Sequence, residues 1–190
     1  MMGKELSAEE IAARVLKDEM FMKGSGGGVT FSGGEPLMQV ELCIAIAKII
    51  KSRGLTVAVD TSGYVKREVI DRIIPYTDTF LFDIKAIDNG VHMACTGVPN
   101  GIILDNIRYV DSLGIPIEIR YPYIPGMNDR EAQKIGSFVR ELTSVKKVEA
   151  LAYHNYGERK YGCLGYSYPG RDIPIPTREE VEKVNLFLRK

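Results

Sequence analysis

The sequence predicts an α/β protein in which a parallel sheet is covered by helices. Three observations carry that expectation. Short apolar or β-branched runs alternate with helical patterns along the 190 residues, the order that builds βα units. The runs are continuously apolar rather than alternating, as strands buried on both faces are. The links are short, and no linker-like, low-complexity or repeated segment divides the chain, so residues 1–190 are read as one domain.

Ser7-Ala8-Glu9-Glu10 predicts a helix start, a capping hydroxyl with an acid three residues on. Ile11, Val15, Leu16 and Met20 give that helix its apolar face. Val29 to Phe31 reads as a short buried strand that breaks at Gly33 and Gly34. Pro36 suits the first turn of the next helix, where its missing N–H would be unpaired anyway. That helix runs from Leu37 to Ser52 and is closed by Arg53-Gly54. Leu55–Val59 is a buried strand, Lys66–Ile74 a short helix before Pro75, and Thr79–Ile84 the next strand. Asn100–Leu113 reads as a helix stopped by Gly114, and Ile115–Tyr121 as a fourth strand before a Pro-Gly-Met-Asn-Asp loop. Asp129–Leu142 is a helix and Lys147–Ala152 a fifth strand. Thr177-Arg178-Glu179-Glu180 repeats the capping pattern and starts a helix to Leu188. Because the pattern opens on a helix, the first sheet edge is either decorated or has lost a strand.

Composition narrows the function classes. With 25 basic and 25 acidic residues the formal net charge is zero, so nothing favours a nucleic acid or an anionic membrane as partner. The apolar stretch Leu42–Ile50 is interrupted by Lys48 and too short to span a bilayer. Met1 to Glu10 runs into a charged helix start without a signal-peptide pattern, so a cytoplasmic protein is expected. Cys43, Cys95 and Cys163 are far apart in sequence and form no Cys-x-x-Cys pair. Cys43 reads as a small core hydrophobe, and the other two as ordinary thiols in loop-like segments.

The chemistry gathers at the carboxyl ends of the strands, where side chains of a parallel α/β fold escape the packed core. The first end gives Ser32-Gly33-Gly34-Glu35: bare backbone that a ligand can approach closely, beside a negative charge that suits an ammonium group. A phosphate loop would instead follow its glycines with Lys and Ser or Thr. The second end gives Asp60-Thr61-Ser62-Gly63. The third gives Asp83 and Lys85, two residues apart and so on one side of an extended chain. The fourth gives Arg120 and the fifth Tyr153-His154-Asn155. Glu118 reads as a solvated charge near a strand start and stays outside the site. Each group alone has a bland reading: Asp60-Thr61 as a turn cap, Asp83–Lys85 as a surface pair, His154 as a structural histidine. Five ends of this kind together describe a mixed-charge pocket for a zwitterion carrying hydroxyl groups, an amino-acid-bearing or nucleoside-bearing ligand.

Gly26-Gly27-Gly28-Val29-Thr30-Phe31-Ser32-Gly33-Gly34-Glu35-Pro36-Leu37-Met38-Gln39 resembles the glycine-rich motif of radical S-adenosylmethionine enzymes, more narrowly that of glycyl-radical-enzyme activating proteins of the pyruvate formate-lyase type. Val59-Asp60-Thr61-Ser62-Gly63-Tyr64, Phe82-Asp83-Ile84-Lys85, Thr96-Gly97-Val98, Ile119-Arg120-Tyr121-Pro122, Ile124-Pro125-Gly126-Met127-Asn128-Asp129, Tyr153-His154 and Lys160-Tyr161-Gly162-Cys163-Leu164-Gly165 follow in the family's order. The resemblance implies a partial (β/α) TIM-like barrel, here with about five parallel strands and the family's first strand missing. It implies S-adenosylmethionine and a [4Fe-4S] cluster as cofactors. Ser32, Gly33, Gly34 and Glu35 then form a cofactor-binding motif, the last three holding the amino group. Asp83, Lys85 and His154 contact the carboxylate and the ribose or adenosine, Arg120 lines the same pocket, and Asp60, Thr61 and Asp83 form a candidate monovalent-cation site. The implied reaction is oxidoreductive: a 5′-deoxyadenosyl radical takes hydrogen from a glycine of a partner glycyl radical enzyme, with a flavodoxin or ferredoxin as electron donor.

One departure stands against this. The family's Cys-x-x-x-Cys-x-x-Cys loop, on the strand before the opening helix, is absent, and iron–sulfur clusters need clustered thiolates. The 190 residues are therefore expected to be inactive alone, as the carboxyl-terminal part of a longer activating enzyme with Met1 or Met2 an internal or cloning start. Two alternatives remain open: an activator of anaerobic ribonucleotide reductase, and a non-catalytic S-adenosylmethionine- or nucleoside-binding module that docks a partner.

Overall fold

The computed structural model describes residues 5–189; Met1 and Met2, considered above as an internal start, lie outside them. The element order is α1 (Ala8–Val15), α2 (Glu19–Ser25), β1 (Gly28–Phe31), α3 (Val40–Ser52), β2 (Thr56–Thr61), α4 (Arg67–Ile73), β3 (Thr79–Asp83), α5 (Asn89–Thr96), α6 (Gly101–Ser112), β4 (Ile117–Tyr123), α7 (Ala132–Glu141), β5 (Val145–Ala152), α8 (Glu158–Cys163) and α9 (Arg178–Leu188). The five strands are parallel and lie in one sheet in the order β1-β2-β3-β4-β5, as a repeating βα chain predicts. Both expected capping boxes are present, Ser7 with Glu10 and Thr177 with Glu180. The chain resolves into two compact units.

The first unit holds the residues up to Phe82 together with Ile102–Glu118. Its core packs Ala8 and Ala12 of α1 against Ile46, Ala47 and Ile50 of α3 and against Leu55 and Val57. β1 pairs with β2 from Gly28 opposite Thr56 to Phe31 opposite Val59. β2 pairs with β3 from Ala58 opposite Thr79 to Thr61 opposite Phe82. Asp78 fastens the start of β3: its carboxylate accepts from Lys51 at 2.6 and 2.8 Å and from the Val57 N–H at 2.7 Å. Asn106 of α6 fastens the loop after β2, donating to the Gly63 and Val65 carbonyls at 3.0 and 2.8 Å and accepting from Arg67 at 3.2 Å.

The second unit holds Asp83–Gly101 and the chain from Ile119 onward. The Ile84 N–H donates to the Arg120 carbonyl at 2.9 Å, and the Tyr153 N–H to that of Tyr123 at 3.0 Å. α9 packs on α7 and β5, and its Asn185 accepts from the Ala150 N–H at 2.7 Å.

The structure corrects several local expectations. β1 is not buried: Gly28 and Thr30 are exposed and Val29 and Phe31 half-buried, because the strand ends the sheet order and has a neighbour on one side. The helix expected from Leu37 begins as a 3₁₀ turn, Pro36–Gln39, before α3 proper. α5 and α8 were not expected, and they carry the thiols assigned to loops, Cys95 within α5 and Cys163 at the end of α8. The opening helix breaks at Leu16–Asp18, so Met20, expected on its apolar face, lies in α2 and is exposed. β4 starts two residues later than expected and continues to Tyr123.

Candidate functional site

In the first unit the strand ends are tied to each other by side chains. Ser32 donates to Asp60 Oδ2 at 2.9 Å. Glu35, placed just before the 3₁₀ turn, receives four hydrogen bonds. Its Oε1 accepts from the Leu37 N–H at 3.2 Å and the Thr61 hydroxyl at 2.7 Å. Its Oε2 accepts from the Ser62 N–H at 2.9 Å and the Ser62 hydroxyl at 2.7 Å. The hydroxyls are themselves fixed, since Thr61 Oγ1 accepts from the Gly63 N–H at 3.0 Å and Ser62 Oγ from the Tyr64 N–H at 3.3 Å. Between these clasps lies the turn Gly33-Gly34, with φ of 83° and 54°, left-handed values that favour glycine. A Cβ on either glycine would meet nothing within 4 Å. The turn thus presents bare backbone with open space beside it.

In the second unit Asp83, Lys85 and Arg120 form one partly buried ion cluster. Arg120 donates Nε to Asp83 Oδ1 at 2.9 Å, and its Nη2 lies 2.9 Å from the same oxygen. Lys85 Nζ reaches Asp83 Oδ2 at 2.9 Å. Lys85 and Arg120 thus both make charge-assisted contacts to the one Asp83 carboxylate. His154 is exposed, and its ring stacks on Tyr156 with centroids 4.3 Å apart. Of the candidate cation-site residues, Asp60 holds Ser32, Thr61 holds Glu35, and Asp83 holds Lys85 and Arg120.

A supporting layer in the second unit escaped the sequence reading. Asn128, from the Pro-Gly-Met-Asn-Asp loop, is buried and donates to the Lys85 and Pro122 carbonyls at 2.9 Å each while accepting from the Ile124 N–H at 2.8 Å. The Tyr121 hydroxyl donates to the Asn128 carbonyl, and burial pushes its pKa well above the usual phenol range. Glu131, 1% exposed, accepts from the Ile87 and Asp88 N–H groups at 2.8 and 2.9 Å and pairs with Lys134 at 2.7 Å. His92 of α5 is 2% exposed, and neither ring nitrogen finds a hydrogen-bond partner among the described residues. Its pKa is lowered, first by burial and then by the charge of Lys85, with the Ala86 backbone pulling the other way. Ser62 was readable as a hydroxyl just past a strand end; its partner, 27 residues upstream, was not.

The thiols offer no cluster site. Cys43 is buried in α3, donates to the Pro36 carbonyl at 3.3 Å, and has a pKa raised by burial and then by the Glu35 charge. Burial likewise raises that of Cys95, and Cys163 is exposed. Among the described residues no three His, Cys, Asp or Glu side chains are grouped to hold a metal ion. A resident cluster therefore does not fit the described residues, whereas the open glycine turn and the cationic side chains Lys85 and Arg120 are groups that suit parts of S-adenosylmethionine. Among the same residues no helix is long and apolar enough to cross a membrane.

Comparison with known proteins agrees with the motif order. The family profile described as the radical SAM superfamily matches residues 2–139. The trans-4-hydroxy-L-proline dehydratase activating enzyme of Clostridioides difficile is 37% identical over 97% of this chain, which spans 62% of that protein's length. The pyruvate formate-lyase-activating enzyme of Clostridium pasteurianum is 36% identical over 99% of this chain and 79% of its own. A crystal structure of a domain of pyruvate-formate lyase-activating enzyme from Bacteroides vulgatus superposes with a TM-score of 0.70 at 31% identity, covering 85% of this chain and 92% of that one. The chain belongs to the radical S-adenosylmethionine superfamily, a family that implies S-adenosylmethionine and a [4Fe-4S] cluster, and within it to the glycyl-radical-enzyme activating proteins.

Proposed function

We propose that the chain binds S-adenosylmethionine and is part of an activase that installs a glycyl radical on a partner enzyme of the pyruvate formate-lyase type, with a flavodoxin or ferredoxin as electron donor. The observation that carries the reading is the ion cluster: Lys85 and Arg120, both side chains that form charge-assisted bonds with carboxylates, are gathered at Asp83. In the first unit, the Ser32-Gly33-Gly34-Glu35 turn offers its open backbone to an amino group. Asp60, Thr61 and Asp83 are the proposed monovalent-cation ligands and His154, exposed beside Tyr156, a proposed nucleoside contact. When bound, the cofactor supplies the radical chemistry of the family; the protein's share is to bind, orient and shield it.

The same reading holds that these 190 residues alone neither assemble a cluster nor activate a partner, because their three cysteines sit in three different helices. Two measurements test the proposal. Calorimetry with S-adenosylmethionine is expected to give weak binding that Lys85→Met or Arg120→Met reduces at least about fivefold, the loss of one charge-assisted contact. Binding unaffected by either change would refute the pocket. Iron analysis and absorption spectra after anaerobic reconstitution are expected to show no stoichiometric [4Fe-4S] cluster, and one cluster per chain would overturn that half.

A further inference from the structure

The acid of the glycine motif has no acceptor capacity left for a ligand. A carboxylate offers about four lone-pair directions, and Glu35 already accepts four hydrogen bonds, from Leu37 N–H, Thr61 Oγ1, Ser62 N–H and Ser62 Oγ. Three of those donors come from the end of β2, which lies beside the end of β1 in the sheet. Two of them are hydroxyls that accept backbone N–H groups in turn, so the network runs from Glu35 into Gly63 and Tyr64. An ammonium touching Glu35 directly would have to displace one of these donors, each within hydrogen-bond distance.

We infer that Glu35 is a positioning residue: its carboxylate clasps Thr61 and Ser62 and so holds the Gly33-Gly34 turn against the end of β2, rather than spending its oxygens on a ligand. This rests on the S-adenosylmethionine reading and assigns Ser62 a part in it. The Ser32–Asp60 bond forms a second point of the same clasp, so the turn is tied at both of its ends. Glycine is needed at 33 and 34 for the φ values and the open approach; the acid is needed at 35 because one group must accept from two hydroxyls and two N–H groups at once.

Ser62→Ala separates clasp from contact, because it leaves the Glu35 charge in place with one acceptor site freed. A direct contact would then bind the ligand as well as before or better. The clasp predicts S-adenosylmethionine affinity down about threefold to tenfold for both Ser62→Ala and Glu35→Gln. It also predicts that the double variant is no worse than Glu35→Gln alone, the non-additivity of a shared network. The melting temperature of Ser62→Ala serves as the structural control and is expected to stay close to that of the parent. Unchanged or tighter binding by Ser62→Ala, full additivity, or a melting loss with unchanged affinity would each overturn the inference. Amide hydrogen exchange in the ligand-free chain keeps it testable apart from binding. Glu35→Gln is expected to speed exchange at Ser62 at least about tenfold, one order of magnitude in the opening equilibrium, and no change there overturns the clasp even if the chain binds no S-adenosylmethionine.

Discussion

Replacing His92 by Leu isolates a pH-dependent cost that burial alone creates. The folded pKa of this histidine lies below its ordinary 6.5, so below that pH the unfolded chain binds more protons than the folded one. Stability therefore rises with pH through this window and is lost as pH falls below the unfolded value. One unit below it, the loss is at most about 1.4 kcal/mol, the limit set by a folded ring that takes up no proton. For a chain of this size that is about 3–6 °C in melting temperature. His92→Leu removes the titration together with two buried nitrogens that have no partner among the described residues. Each unsatisfied group costs about 1 kcal/mol or more, so near neutral pH the variant is expected to match or exceed the parent. Melting curves of both proteins between about pH 7.5 and about pH 5.5 should diverge in the variant's favour on acidification, cancelling every group that titrates equally in both. A difference that is constant with pH would refute the assignment of His92 as a buried neutral base.

Three further outcomes follow from the packing. Gly28→Ala would set a Cβ 1.9 Å from the Thr56 carbonyl oxygen, so β1 must leave β2; a loss of about 2–3 kcal/mol in urea unfolding is expected, and a loss below about 0.5 kcal/mol would refute the close approach. Asp83→Asn leaves Lys85 and Arg120 facing each other without their shared carboxylate; a loss of about 1–2 kcal/mol, discounted for partial exposure and shrinking in high salt, is expected from chemical denaturation. Glu131→Ala strips the Ile87 and Asp88 N–H groups and Lys134 of their partner, and should cost about 2–4 kcal/mol, with faster amide exchange at Ile87 and Asp88 than in the parent.

The regular parts of the fold were legible because they follow short-range rules. Capping boxes at Ser7 and Thr177 and the apolar runs of β2 to β4 each announce themselves within a few residues. Of the helices that escaped, α5 has an Asp88 N-cap and a Gly97 C-cap but carries Gly90 in its first turn, and α8 spans six residues with Gly162 inside. Missing α5 hid His92. The exposure of β1 was illegible for another reason, since Val29 and Phe31 would read alike in a central strand and at an edge; only the sheet order distinguishes them. At the site, local spacing revealed the open glycine turn and the Asp83–Lys85 pair. It could not reveal what Glu35 holds, because its hydroxyl partners lie 26 and 27 residues away, and sequence distance carries no orientation.

The anchoring of the loop after β2 has a consequence for proteolysis. Tyr64 and Lys66 are exposed, and Lys66-Arg67 is a cleavage sequence for trypsin. Yet the segment is pinned upstream by Glu35 through Ser62 and downstream by Asn106 through Gly63, Val65 and Arg67, whose guanidinium also lies 3.9 Å from the Tyr109 ring centroid. A protease must draw several residues into its cleft in extended form, so a loop fixed at both ends resists cutting although its side chains face water. Limited digestion should spare this peptide bond until the clasp or Asn106 is removed, making trypsin a simple reporter of whether the end of β2 is held in place.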